Sequence, residues 1–201
     1  MEYIKEKQKL MQKTDEIKEY AESVLSKKRF AHTVSVAEEA KRLALIWGED
    51  SQKAYIAGLA HDIAKEIPAR VALEMLENFG YEIDEAEKLN TALLHGPLAA
   101  FVAEKKFGIT DSDILNAISN HTTGRPDMSL LEKIVFVADF AEPLRTYPEA
   151  ARIRELAEKN LDEAVLAQAD YVIKFIIDCN RTLHISTVDT RNYYLMKIKR
   201  G

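Results

Sequence analysis

One cysteine, seven glycines and five prolines are all that this chain of 201 residues contains of those three types. The lone Cys179 excludes an internal disulfide and a thiolate metal cluster, so any metal must be held by His, Asp or Glu. The few glycines and prolines fall between long stretches of helical period, which excludes a β-rich chain and points to an all-α fold. No run of about 18 apolar residues is present, and Met1-Glu2-Tyr3-Ile4-Lys5 lacks the apolar core of a signal peptide. No membrane partner is expected, and the chain reads as cytoplasmic. A net charge of −5 argues against a nonspecific nucleic-acid partner. A polyanionic substrate would therefore need local Arg and Lys residues or a metal to reverse the field. The apolar share of 47% and charged share of 30% suit a globular chain long enough for one domain with a full core.

What is present is a nearly all-apolar segment, Ala54 to Lys65, ending in His61 beside Asp62. An ionised carboxylate among Ala, Ile, Gly and Leu is costly without a partner, and a cation is the expected one. Imidazole and carboxylate together suit divalent iron, manganese, zinc or cobalt. Two ligands hold no metal tightly, so the rest of the chain must supply more.

Helical period covers about 3–27 (Tyr3, Ile4, Leu10, Ile17, Tyr20) and 29–47 (Phe30, Val34, Ala37, Leu43, Ile46), with His32 in the first turn of the latter. Asp50 or Ser51 caps the helix that runs to His61-Asp62, and Pro68 suits the first turn of the next. Gly48 and Gly108 read as helix stops, and Gly96-Pro97 as a break that leaves His95 on a joint. Thr110 with Asp113, and Ser129 with Glu132, match capping boxes. The first opens a helix ending at Asn120-His121, and the second an apolar helix to Phe140 that contains Asp139. Helices over 149–159 and 161–180 follow, then a polar turn from Arg181 to Asn192 and a short last helix. Cys179 reads as a buried small side chain. His184 reads as structural or nucleotide-contacting, and the Lys- and Glu-rich first 28 residues as a solvated helix face. Its apolar stripe offers a surface for a second copy of the chain, a homodimer.

Four of the five histidines thus fall at helix ends or joints, and Asp62 and Asp139 both follow apolar runs, as convergent ligands do. In their chain order, His32, His61-Asp62, His95, His121 and Asp139, the sequence resembles the HD-domain metal-dependent phosphohydrolases. Leu59-Ala60-His61-Asp62-Ile63-Ala64-Lys65, His121-Thr122-Thr123-Gly124, Ala138-Asp139 with Glu142-Pro143-Leu144-Arg145, and Thr190-Arg191-Asn192 are similar to the words of the YqeK group within that family. That group comprises symmetrical bis(5'-nucleosyl)-tetraphosphatases, which cut diadenosine tetraphosphate into two ADP. The similarity spans about residues 27 to 195.

The resemblance implies a single all-α HD-type helical bundle: a helical extension over 1–27, a metal-binding core over 28–142, and C-terminal helices over 143–201 that complete the nucleotide pocket. His32, His61, Asp62 and Asp139 would be the metal ligands. Iron is the expected ion, one or two per chain, with manganese, cobalt or zinc as substitutes. His95 and His121 would either face the substrate phosphates or complete a second metal position. Arg29, Arg145 and Arg181 would bind the nucleotide, since arginine offers phosphate a planar fork of donors. Lys65, one turn after Asp62, could reach a phosphate oxygen, and Thr122 shapes the loop beside the substrate. A dinucleoside polyphosphate is the expected partner and ADP or GDP the expected product. The competing readings are an HD phosphohydrolase acting on deoxynucleotides or guanosine alarmones, and a nucleotide-binding regulator without turnover.

Overall fold

The computed structural model describes residues 2–200, with side chains from Gln12 onward, and among these residues every regular element is helical. The apolar positions Tyr3, Ile4 and Leu10 lie outside the described side chains. Helix α1 (Glu2–Val24) packs on α3 (Ser51–Ala60), which lies against α2 (Lys27–Trp47) along most of its length. Both α2 and α3 contact α8 (Leu130–Ala141), and α3 also meets α7 (Ser112–Asn120), which pairs with α6 (His95–Phe107). Around this centre lie α4 (Ala69–Asn78), the short α5 (Glu85–Leu89) and a 3₁₀ turn (Thr91–Leu94) on the α6 side. On the α8 side lie α9 (Pro148–Ala157), α10 (Leu161–Asp178) and α11 (Ile185–Arg200).

Local chemistry sets the boundaries. The Asp50 carboxylate accepts from the Gln52 and Lys53 amides at 2.8 and 3.1 Å and opens α3. Gly48 and Gly108 end α2 and α6 in the left-handed region, as expected of C-terminal glycines. Ser129 and Glu132 form the expected capping box of α8. Every residue of α3 from Ile56 to Ala60 is buried, so the half of that helix leading to His61 is apolar all round, as a central segment must be.

Five expectations need correction. The box at Thr110 and Asp113 does not form. Asp111 caps α7 instead, accepting from the Asp113 and Ile114 amides at 2.9 and 3.3 Å. Gly96-Pro97 does not break the chain but lies in the first turn of α6, where proline's missing N–H would have no partner anyway. The last helix starts at Ile185, inside the stretch expected to be a turn, and buried Thr190 lies against the loop after α7, its hydroxyl shared between Ser186 O at 2.7 Å and Thr123 O at 3.2 Å. Cys179 is exposed, because α10 turns its last residues, Phe175 and Ile177 included, to the surface. Ile46, read as part of an apolar face, is also exposed.

Candidate functional site

Three of the site histidines are built the same way. His61 and His121 follow the last turns of α3 and α7, and His95 follows the 3₁₀ turn, so each can reach the carbonyl three residues back. Nδ1 of His61 donates to Gly58 O at 2.6 Å, that of His121 to Ile118 O at 2.7 Å, and that of His95 to Ala92 O at 2.5 Å. A carbonyl only accepts, so Nδ1 carries the hydrogen in all three, and Nε2 is left to face inward. His32 on α2 is oriented differently, by the Glu142 carboxylate at 3.0 Å from its Nδ1.

Asp62 stands between two groups of these nitrogens. Its Oδ2 is 2.9 Å from Arg29 Nη1, 3.4 Å from His61 Nε2 and 3.9 Å from His32 Nε2. Its Oδ1 is 3.2 Å from His95 Nε2, 3.8 Å from His121 Nε2 and 4.0 Å from Lys65 Nζ. Asp139 Oδ1 lies 2.9 Å from His32 Nε2, 3.7 Å from His61 Nε2 and 3.7 Å from Arg145 Nη2. Helices α2, α3, α6, α7 and α8 therefore bring all four expected metal ligands, along with His95, His121, Lys65, Arg29 and Arg145, into one cluster. Thr122 Oγ1 joins it, 3.2 Å from His95 Nε2 and 3.1 Å from His121 Nε2. Arg181 stands apart: it is exposed, and its side chain makes no hydrogen bond or ion pair with the cluster. His184 pairs with Asp84 at 2.8 Å, and Lys133 with Asp162 at 2.8 Å.

The electrostatics are those of a cation site. Burial works against charge on both aspartates. Even so, His61 and His95 hold Asp62 well below the usual carboxylate range, and His32 and His61 do the same for Asp139. Burial also opposes charge on His61, yet Asp62 and Asp139 outweigh it and hold the imidazole up at about 10. Burial, then His95 and His61, push His121 down to about 3. Burial lowers Lys65 as well, against the pull of Asp62 and Asp139.

The donor set fits a divalent metal. Donors about 2.1 Å from a common ion lie roughly 3 to 4 Å from one another, and the N–O separations around Asp62 Oδ2 and Asp139 Oδ1 run from 2.9 to 3.9 Å. His61 Nε2 is fully buried and makes no hydrogen bond among the described residues, although it faces two carboxylates. His32, His61 and Asp139 form one convergent set, and His61, Asp62 and His121 a second that shares His61.

Glu142 has no role in the sequence reading. It is buried, accepts from His32 Nδ1 through Oε1, and accepts from Ser35 Oγ and the Leu144 amide through Oε2, both at 2.6 Å. A carboxylate behind a ligating imidazole fixes its tautomer and strengthens it as a donor. The available signal was its position three residues after Asp139, at the end of the same helix. Glu142→Gln replaces one acceptor by a donor and removes the charge. It is expected to weaken divalent-metal affinity about 10- to 100-fold, measured by competition with a chromophoric chelator, with helix content unchanged.

Comparisons with known proteins agree with this geometry. Residues 29–143 match the HD domain family. The chain is 38% identical over 177 residues to the symmetrical bis(5'-nucleosyl)-tetraphosphatase of Halalkalibacterium halodurans, covering 87% of this chain and 93% of that one. It is 39% identical over 171 residues to the protein of the same name from Bacillus subtilis, covering 84% and 90%. A crystal structure of a predicted HD superfamily hydrolase involved in NAD metabolism, from Clostridium acetobutylicum, superposes with a TM-score of 0.89 at 44% identity, covering 91% of this chain and 97% of that one. With the histidines and aspartates of that family's motif gathered at one buried centre, the chain belongs to the HD-domain family and, within it, to the group of the symmetrical bis(5'-nucleosyl)-tetraphosphatases.

Proposed function

We propose that this chain hydrolyses diadenosine tetraphosphate symmetrically, giving two ADP, with one iron ion held by His32, His61, Asp62 and Asp139. The observation that carries the reading is the division of donor groups about Asp62: the Arg29 guanidinium on the Oδ2 side, and the Lys65 amine with the His95 and His121 imidazoles on the Oδ1 side. A chain of four phosphates needs positive charge on both sides of its scissile bond, because charge builds on the equatorial and leaving oxygens. When bound, a divalent cation supplies charge neutralisation and lowers the pKa of water to about 7.

The chain's own residues do the rest. Arg29 and Arg145 hold phosphate oxygens on one side of the centre, Arg145 also facing Asp139. Asp62, kept ionised, accepts a hydrogen bond from the attacking water and orients it. The water oxygen forms a bond to the second phosphorus from one nucleoside as its proton passes to the Asp62 carboxylate, and the central P–O–P bridge breaks. On the Oδ1 side, His95 Nε2 can carry a proton supplied by Lys65 Nζ, 3.1 Å away, to the oxygen that leaves with the other ADP. His121 and Thr122 fix the His95 ring from beside it.

Protein loaded anaerobically with ferrous iron should convert diadenosine tetraphosphate to ADP alone. AMP with ATP as products, or no turnover with iron, manganese, cobalt or zinc, would reject the assignment. Arg145→Ala should keep its metal and raise KM about 10-fold, the worth of one charge-assisted phosphate contact. Steady-state kinetics beside metal analysis checks both halves of that expectation.

A further inference from the structure

Residues 121–129, which join α7 to α8, begin with two groups of the site, His121 and Thr122. His95 Nε2, His121 Nε2 and Thr122 Oγ1 stand 2.9 to 3.2 Å from one another. A loop shift of about 1 Å would break such contacts, since hydrogen bonds are lost by about 3.6 Å. The loop must therefore be held from outside the site.

Glu132 holds it. This residue lies in the first turn of α8 and is 1% exposed. Its part in the capping box needs one bond, from the Ser129 amide to Oε2 at 2.8 Å. Three more donor groups converge on the same carboxylate. Oε1 accepts from Asn120 Nδ2 at 3.0 Å and from Arg125 Nε at 2.7 Å, and Oε2 from Arg125 Nη2 at 2.5 Å. Asn120 immediately precedes His121, and Arg125 comes three residues after Thr122, so one carboxylate grips the chain on both sides of the two site residues. A buried carboxylate is costly unless donors surround it, and here the loop supplies them. Helix α11 closes the opposite side. Thr190 sits so close to Gly124 that a Cβ there would lie 2.8 Å from its Cγ2, and the Tyr193 hydroxyl donates to Asp127 Oδ1 at 2.7 Å.

We propose that Glu132 is a positioning residue for the hydrolysis, holding the His121 imidazole and the Thr122 hydroxyl against His95 through Asn120 and Arg125. Its hydrogen bonds go to none of the site's own groups. The inference rests on the roles given above to His95 and His121, but the position of His121 is measurable without turnover. Glu132→Gln is the informative change. It puts an amide NH₂ where an oxygen stood, among Asn120, Arg125 and Ser129, all of which are donors, so at least one of them loses its acceptor.

The test pairs NMR of zinc-loaded protein, which is diamagnetic, with kinetics of the ferrous enzyme. His121 Nδ1–H is buried and donates to Ile118 O, so its ring proton exchanges slowly enough to follow. Glu132→Gln should displace that signal and lower kcat about 10- to 100-fold, with KM and metal content within about twofold of wild type. Arg125→Ala removes the fork but leaves the cap, and it should reproduce both effects. The double variant should fall no further, because the two residues act as one unit. Ser129→Ala removes the capping hydroxyl and should lower Tm with kcat and the His121 signal unchanged. If Glu132→Gln does not fold, Arg125→Ala decides by the same two readouts. A Glu132→Gln variant that loses only Tm, as Ser129→Ala does, marks Glu132 as a helix cap and overturns the proposal. So does a displaced signal with unchanged kcat, or loss of metal, which would place the effect on Asp139 through α8. Wild-type protein without turnover, in which Glu132→Gln still displaces the signal, rejects the hydrolase reading and keeps the positioning. Wild-type turnover with both readouts unmoved in Glu132→Gln does the reverse.

Discussion

Asp62→Ala protein, purified and passed through a desalting column, carries no stoichiometric metal and hydrolyses diadenosine tetraphosphate at least about 1,000-fold more slowly than wild type, a barrier increase of about 4 kcal/mol. The magnitude follows from position. The two oxygens of Asp62 face both halves of the centre, Oδ2 toward His32 and His61 and Oδ1 toward His95, His121 and Lys65. On the roles proposed above, removing it deletes a ligand, the group that orients water, and the negative charge that lets these imidazoles and cations lie so close. Arg29 also loses its partner at 2.9 Å, but it is about one-third exposed and can turn to solvent, so the fold should survive. Metal analysis and turnover should therefore fail together. The contrast with Arg145→Ala decides the roles, because equal metal loss in both variants would mean that Arg145 supports the ion rather than the phosphates.

How far the sequence could be read depended on whether a feature was local. Capping at Ser129 and Asp50, the stops at Gly48 and Gly108, and the placement of histidines at helix ends are all set by residues within one turn of each other, and these were legible. The Thr110 box failed because two acceptors, Thr110 and Asp111, compete for the same amides, and Asp111 is the better placed. The start of α11 was hidden because its buried face opens with Thr187 and Thr190 rather than apolar residues, while Ile185 stays exposed; Thr190 Oγ1 reaching back to Thr123 O helps anchor it. Glu142 was missed for a related reason. What it does depends on a partner far along the chain, His32, and that pairing leaves no spacing to find. The ordered set of His and Asp was legible because its chemistry demands these residue types, even though more than a hundred positions separate its ends.

Gly58→Ala should destabilise the fold and loosen the metal centre together. A Cβ at this position would lie 2.6 Å from Ala37 Cα, 3.0 Å from Ala37 N and 3.3 Å from Ala37 Cβ. Backbone cannot swing aside as a flexible side chain would, so α2 and α3 must separate. Both helices are held by fully buried neighbours, Val36, Ala40 and Leu43 on one and Ile56 and Leu59 on the other. Overpacking of that kind costs about 3 kcal/mol at its upper end, and alanine's helical advantage over glycine returns about 1. The net loss is about 2 kcal/mol, which lowers Tm by roughly 4–8 °C in a chain of this size. The consequence for the site is specific, because α2 carries His32 and the carbonyl of Gly58 itself holds His61 Nδ1. Widening the gap moves one ligand relative to the other, and metal affinity should fall about 10-fold, as it does when a ligand loses its support. Gly48→Ala is the control. Nothing lies within 4 Å of its added Cβ, so it carries only the strain of a left-handed φ of 75°, about 1 kcal/mol. Its metal affinity should match wild type. Thermal unfolding with chelator competition on both variants separates the cases: if Gly58→Ala proves as stable and as tight for metal as Gly48→Ala, the α2–α3 approach does not set the spacing of His32 and His61.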